Sequence, residues 1–374
     1  HLSIRRQRQM CIRDSIKNIL KHYEIPYEKT LRERGRIYIK TKNPQETAAK
    51  LTQVFGVSSA SPAIQTTSHM ENIVETAVKL ASATIKSESS FAVRCHRVGK
   101  HPYSSMDVCK EVGKQVLKRL EDRNLRVNLK NPQFTLNIEV RDENAYIFSE
   151  NLKGAGGFPL GSQSKVVCLL SGGIDSAVAC WLVMKRGCPI IPIYLDNAPL
   201  TDETTTAKAL EVAKKLFEWS IGFPRKVYIV PHGKNLETFV KDAPRKLTCI
   251  LCKRMMYRIA ERIAEKEKAE GIVTGEAIGE QASQTLTNLK VLDEASLKIP
   301  VHRPLLGFDK TETTELARKI GTFEISTQKA KSCSAAPTKP STKAKLEIIK
   351  KAEENFDMER MVEESVKAAK IVTV

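Results

Sequence analysis

The apolar run Val166-Val167-Cys168-Leu169-Leu170 passes directly into Ser171-Gly172-Gly173-Ile174-Asp175-Ser176 and then into the helix-like stretch Ala177-Val178-Ala179-Cys180-Trp181-Leu182. A buried strand, a glycine turn and a helix start in immediate succession make an anion cradle. Glycine has no Cβ and lets backbone N–H groups come close to an anion, while the unpaired amides and positive dipole end of the following helix favour negative charge there. Ser171 and Ser176 add hydroxyl donors. Asp175 would repel phosphate unless a divalent cation lay between them, so Mg2+ is implied. The loop lacks the Gly-Lys-Ser/Thr ending of a Walker loop, which makes γ-phosphate transfer the less suitable chemistry.

A chain of 374 residues with 41% hydrophobic content can bury more than one core, which predicts two or three domains. No apolar run approaches the roughly 18–20 residues needed to cross a bilayer, so no membrane association is expected. Nine cysteines without a regular framework argue for reduced thiols in the cytoplasm and against a secreted disulfide scaffold. The formal net charge is +18. Residues 1–160 carry 27 Lys and Arg against 16 Asp and Glu, a balance of +11, and the remainder carries 34 against 27, a balance of +7. That excess points to a polyanion larger than a nucleotide, with nucleic acid ahead of membrane.

Residues 1–15 show no apolar periodicity linking them to residue 16 onward and read as translated adapter sequence outside the fold. Residues 16–75 alternate helix-like and strand-like pieces: Ile16–His22, Arg36–Lys40, Pro44–Phe55 and Val57–Ala60. This suits a small ferredoxin-like α+β unit lacking its first strand. Residues 76–150 form a second α+β segment, with a strand over Phe91–Arg97, an amphipathic helix over Asp107–Leu120, and strands near Phe134–Val140 and Ala145–Phe148. Arg94, Arg97, Lys100 and His101 cluster here and would meet phosphates without reading sequence; the alternative is a solvated strand edge.

The Gly- and Ser-rich residues 151–165 read as a linker. Beyond them, residues 166–374 follow a strand–helix rhythm. Strands are expected at Pro189–Leu195, Lys226–Val230 and Gly271–Thr274, and helices at Thr201–Trp219, Asn235–Val240, Lys253–Lys268 and Thr311–Lys319, followed by one charged amphipathic helix over 344–370. The alternation predicts an α/β domain with a parallel sheet covered on both faces and its ligand at the carboxyl ends of the strands.

Cys249-Ile250-Leu251-Cys252 precedes the helix expected from Lys253, whose dipole, with Lys253 and Arg254, should favour thiolate. Cys333 is a third candidate, in a polar loop. A zinc site wants four ligands and a redox pair needs only two, whereas a [4Fe–4S] cluster held by three cysteines leaves one iron open. Cys168, Cys180 and Cys188 are expected to pack as small hydrophobes, as are Cys95 and Cys109. His232 reads as a turn residue.

Taken together, these motifs resemble known families. Ser171–Ser176 is similar to the pyrophosphatase-type (PP) loop, SGGxDS, of enzymes that split ATP between the α and β phosphates. Arg94–Ser105 followed by Val127–Pro132 resembles the THUMP domain, an RNA-binding module of tRNA-modifying enzymes. With Cys252–Ala260, Thr274–Thr285 and Arg303–Lys310 added, residues 20–350 resemble tRNA 4-thiouridine synthetases in motif and domain order. The resemblance implies ATP contacts at Leu169, Leu170, Tyr194, Leu195, Lys253, Gly275 and Gln284 besides the loop, with Asp175 essential and Lys310 near the reacting group. Where that family often has arginine, this chain has Lys253, which cannot make a planar two-point contact.

It further implies tRNA as substrate, a functional cysteine at Cys333, and a cluster on Cys249, Cys252 and Cys333. The resemblance is to the form without a rhodanese domain, so free sulfide or an unidentified donor is expected in place of a persulfide relay, and a part in thiamine synthesis is left open. A homodimer is left open. Two alternatives stand beside it: a PP-loop enzyme acting at another tRNA position or with another nucleophile, and a catalytically inactive tRNA-binding protein.

Overall fold

The computed structural model describes residues 2–33, 35–296 and 298–374, with side chains described from Met10 onward. The chain divides into two compact units. One comprises Leu20–Gln53 and Val57–Ala155, the other the residues up to Ile19, Val54–Gly56 and Gly156–Val374. Helix α1 (Leu2–His22) runs through the stretch that the sequence reading sets aside, and its Ile16 and Ile19 are buried.

In the first unit, β1 (Tyr27–Glu33) and β2 (Arg36–Thr41) form an antiparallel hairpin with Leu31 opposite Tyr38. Helix α2 (Pro44–Leu51) opens on proline, whose fixed φ suits the first helical turn. The short β3 (Ser59–Ala60) pairs with β9 (Leu152–Lys153). Between them lie β4 (Ile64–Thr67), α3 (Met70–Thr84), β5 (Ser90–Val98), α4 (Ser105–Arg119), β6 (Arg126–Val127), β7 (Phe134–Arg141) and β8 (Asn144–Phe148). Their sheet runs β4-β8-β7-β5-β6, with β5 parallel to β7 over their whole common length. Ile73, Ala77 and Ala81 of α3 and Val108, Val112 and Val116 of α4 recur at helical spacing and pack with Leu136, Ile138, Val140 and Ile147. Ser104 and Asp107 close a capping box at the start of α4. Strand β1 escapes the sequence reading because it is an exposed, charged edge with little alternation.

The second unit continues with β10 (Val166–Leu169), α5 (Ile174–Lys185), β11 (Ile190–Asp196), α6 (Glu203–Phe217), β12 (Lys226–Pro231), α7 (Gly233–Asp242), α8 (Thr248–Glu267), β13 (Ile272–Val273), α9 (Leu286–Asp293), β14 (Val301–His302), α10 (Lys310–Ile320), α11 (Phe323–Ser326), α12 (Leu346–Glu353), α13 (Met358–Lys367) and β15 (Lys370–Thr373). The sheet order is β14-β13-β10-β11-β12-β15, parallel except for β15 against β12. Going outward from β10, the chain order runs one way through β11 and β12 and the other through β13 and β14. This reversal opens a crevice beyond the carboxyl ends of β10 and β13, where doubly wound sheets bind ligands.

The single helix expected over 344–370 is instead two helices and a strand. Asp357 accepts from Arg360 N at 3.1 Å and caps a new helix, Phe356 stacks edge-on against Phe239 at 5.2 Å, and the β-branched Ile371-Val372-Thr373 add an antiparallel edge to the sheet.

Candidate active site

The loop after β10 is shaped by its backbone. Gly172 has φ +79°, and a Cβ there would lie 3.1 Å from the backbone of Ala209 on α6. Ser171 N donates to Ser176 Oγ at 3.2 Å, Ser176 Oγ donates to the Gly173 carbonyl at 3.0 Å, and Gly173 N donates to Ser171 Oγ at 3.3 Å, so the two hydroxyls brace the turn. Gly173 is the N-cap of α5. From the loop after β13, Gly275 presses against this helix start: a Cβ on it would lie 2.5 Å from Ser176 N and 2.6 Å from the Asp175 carbonyl carbon. The resemblance makes Gly275 a ligand contact; its packing adds a reason why only glycine fits.

At the loop mouth, Lys310 Nζ donates to Asp175 Oδ1 at 2.7 Å and Glu280 Oε2 at 3.2 Å. Burial disfavours the Lys310 charge, but the bonds to Asp175 and Glu280 outweigh it and raise its pKa. As the first residue of α10, behind the Asp309–Glu312 capping box, Lys310 is aimed at the Asp175 carboxylate.

Leu169 and Leu170 are buried at the end of β10, and Leu170 N donates to the Ile193 carbonyl at 2.9 Å. Tyr194 and Leu195 are buried beside them on β11, with Tyr194 OH donating to Thr205 Oγ1 at 2.9 Å. Gln284 is buried and its Oε1 has no protein partner. Lys253 Nζ donates to Glu276 Oε1 at 2.8 Å, and Glu276 Oε2 accepts from Tyr257 OH at 2.5 Å, Arg303 Nε at 2.9 Å and Thr274 Oγ1 at 3.1 Å. Burial alone would raise the pKa of Glu276, but Lys253, then Tyr257 and Arg303, hold it down at about 2. Glu276 lies inside the quoted motif Thr274–Thr285, yet nothing in its spacing announces a hub.

The cysteines sit differently from expectation. Helix α8 begins at Thr248, not Lys253, which places Cys249 in its first turn and Cys252 a turn further in. Burial, reinforced by Cys249 and Cys333, pushes the Cys252 thiol up to about 12, and burial with Cys333 also raises Cys249. The expectation that the helix start and Lys253 would favour thiolate is therefore corrected for the metal-free protein, because desolvation exceeds the pull of the cations. All three thiols are free and half-buried, and their charges influence one another. Among the described residues, no group of three or more His, Cys, Asp or Glu is arranged to hold a single metal ion. His232, read as a turn residue, is 1% exposed and lies with Nε2 3.3 Å from Cys252 Sγ. Burial lowers its pKa to about 4. No local sequence signal pairs it with a cysteine 20 residues away.

In the other unit, Arg94 and Lys100 are exposed. Arg97 and His101 serve the loop itself. His101 Nε2 donates to the Asp142 carbonyl at 2.8 Å, which leaves its Nδ1 to accept from Arg97 Nη1 at 3.3 Å, and Arg97 also reaches the Gly99 carbonyl.

The fold and the loop define a PP-loop protein that carries an RNA-binding THUMP module. Residues 161–358 match the family model described as thiamine biosynthesis protein (ThiI), residues 67–150 the THUMP domain, and residues 4–61 the ThiI ferredoxin-like domain. A probable tRNA sulfurtransferase of Methanosarcina mazei is 42% identical over 371 residues, covering 99% of this chain and 91% of its own length. The corresponding protein of Methanothermobacter thermautotrophicus is 38% identical, over 88% and 85%. A crystal structure of a 4-thiouridine synthetase–RNA complex with bound ATP superposes with a TM-score of 0.88 at 33% identity, covering 99% of this chain and 95% of that one. The chain belongs to the ThiI family of tRNA sulfurtransferases.

Proposed function

We propose that this protein is an ATP-dependent tRNA sulfurtransferase that converts a uridine to 4-thiouridine, with the THUMP-bearing unit holding tRNA. The observation that carries the reading is the Ser171–Ser176 cradle, fitted by Gly275 and faced by Lys310, which pairs with its Asp175, in a chain of this family. A carbonyl oxygen is a poor leaving group. Uridine O4 attacks the α phosphorus of ATP, pyrophosphate departs and the N3 proton is lost. Hydrosulfide then adds at C4, AMP leaves with the former O4 and its electron pair, and the sulfur-borne proton passes to N3.

The residues present suit ATP: a glycine turn at a helix start, hydroxyls within it, and a buried Gln284 Oε1 available to a ligand donor. Asp175 would hold Mg2+, which supplies charge neutralisation on the phosphates when bound. Backbone amides of the loop and Lys310 stabilise charge on the phosphoryl oxygens, and Lys253 does so on release from Glu276. Cys249, Cys252 and Cys333 form a soft donor set suited to iron–sulfur. A [4Fe–4S] cluster on these three would supply an iron free to present sulfide.

Anaerobic assay with ATP, tRNA and sulfide, read by mass analysis of tRNA nucleosides, is expected to yield 4-thiouridine in an ATP-dependent manner. Normal tRNA under those conditions, or sulfur at another position, would refute the reading. Iron-reconstituted protein is expected to be brown, and Cys249→Ala, Cys252→Ala and Cys333→Ala each to bleach it. Stoichiometric zinc in a colourless protein would refute the cluster.

A further inference from the structure

A chain of hydrogen bonds in the second unit starts at a helix carbonyl and ends on a sulfur, and each donor along it can be assigned. Ser365 Oγ lies 2.8 Å from the Met361 carbonyl. A carbonyl only accepts, so the serine proton is committed there and Ser365 Oγ can only accept from Asn235, 2.8 Å away. The amide group facing Ser365 is therefore the Nδ2 amine. The same Nδ2 is 3.3 Å from His232 Nδ1, which must accept, so the neutral ring carries its proton on Nε2. That N–H points at Cys252 Sγ, 3.3 Å away.

The backbone beneath the imidazole is fixed as well. His232 N donates to the Asp196 carbonyl at 2.7 Å. At the next residue, a Cβ on Gly233 would lie 1.8 Å from the Ala198 carbonyl oxygen, so the chain is pressed against the β11–α6 loop. The same loop receives the Cys333 segment, since Ser334 N donates to the Leu200 carbonyl at 3.1 Å. Among the described residues, no hydrogen bond reaches the sulfur of Cys249 or Cys333. The three cysteines are thus unequal.

We propose that His232 is a positioning residue that holds negative charge on the Cys252 sulfur through Nε2–H, making Cys252 the fixed member of the cysteine set and leaving Cys249 and Cys333 as the members free to rearrange. The role rests on the reading of these cysteines as the sulfur site. Hydrogen bonds to a cluster's sulfurs stabilise its reduced, more negative state, and partners behind a ligand set its orientation.

Two measurements on the full chain test it. In metal-free protein labelled with 15N-histidine, with His232 assigned by its loss in His232→Phe, the ring is expected as the Nε2–H tautomer with a proton resonance displaced by Cys252→Ala. An Nδ1–H tautomer, or a resonance indifferent to Cys252→Ala, overturns the proposal. In protein reconstituted with iron and sulfide, the midpoint potential is expected to move to more negative values in His232→Phe and by less in His232→Gln, which retains a donor. An unchanged potential in a folded His232→Phe protein overturns the role. Should His232→Phe not fold, Ser365→Ala is expected to mix the tautomers, and an unmoved tautomer there overturns it too. Wild-type protein that takes up no iron removes the cluster reading alone, while the tautomer and its response to Cys252→Ala still decide the inference.

Discussion

The nucleotide loop and the cysteine site lie in the same α/β unit but are built in opposite ways. The loop is local and made of backbone: eight consecutive residues from Leu169 to Ser176, with Gly275 behind them. The cysteine site gathers single side chains from β12–α7, α8 and the 333 loop, and is held from behind by α12 and α13. Backbone geometry tolerates no added atom and signals itself in sequence; a side-chain assembly tolerates change at its supports and does not.

The largest effect that sharpens this contrast is expected from Asp175→Ala. Thiolation should fall by roughly three orders of magnitude or more, as for loss of a group acting on a transferred phosphoryl, with little change in melting temperature, since the Asp175–Lys310 pair is partly exposed. Substantial 4-thiouridine with this variant would end the proposed role.

Gly275→Ala comes next. With 2.5 Å between the new Cβ and Ser176 N, the start of α5 must shift, at a cost of about 1–3 kcal/mol in stability, and ATP affinity measured by calorimetry should fall at least about tenfold. Unchanged affinity would show the loop to be more pliable than its contacts imply.

Glu276→Gln should cost about 3 kcal/mol, because it leaves Lys253 without its buried counter-charge and Arg303 with the half-exposed Asp293 alone. Glu276 is held at about 2 against an ordinary 4.5, so its contribution is fully present above pH 4.5 and is lost as pH falls through about 2. Urea titrations across this window should show an acid-side slope in the wild type that is reduced in the glutamine variant; equal slopes would assign the acid loss to other groups.

The smallest effect is Arg94→Ala. It removes one exposed cation, so tRNA binding should weaken a few-fold and the salt dependence should fall by about one unit of slope. Arg97→Ala makes the useful contrast, because Arg97 braces His101 and the Gly99 turn and its loss should also lower stability.

The parts legible in sequence were those whose physics is contiguous. Strand β10 with its glycine turn, the 3.6-residue periodicity of α4 and the parallel alternation from 166 onward all follow from neighbouring residues. The break at Glu354–Asp357 is hidden because α12 and α13 are both amphipathic and charged, and it is made by the Asp357 cap together with the docking of Phe356 on Phe239. The start of α8 at Thr248 is not legible, because Leu247 at its N-cap makes no side-chain cap bond and Cys249 to Cys252 carries no capping signal. His232 and Glu276 owe their importance chiefly to Cys252, 20 residues on, and Lys253, 23 residues back, distances over which spacing carries no information.

The clamp on α8 has a consequence for how the protein is made. Glu353 on α12 receives Arg254 and Arg258 of α8 at 2.8–2.9 Å, and Ser365 on α13 receives Asn235 of α7, whose amide also reaches the His232 ring. Both grips come from residues synthesised about a hundred positions after Cys252. The helix bearing Cys249 and Cys252 therefore gains its Glu353 grip only once the chain has been extended through α12, so its final packing is a late event in the order of synthesis.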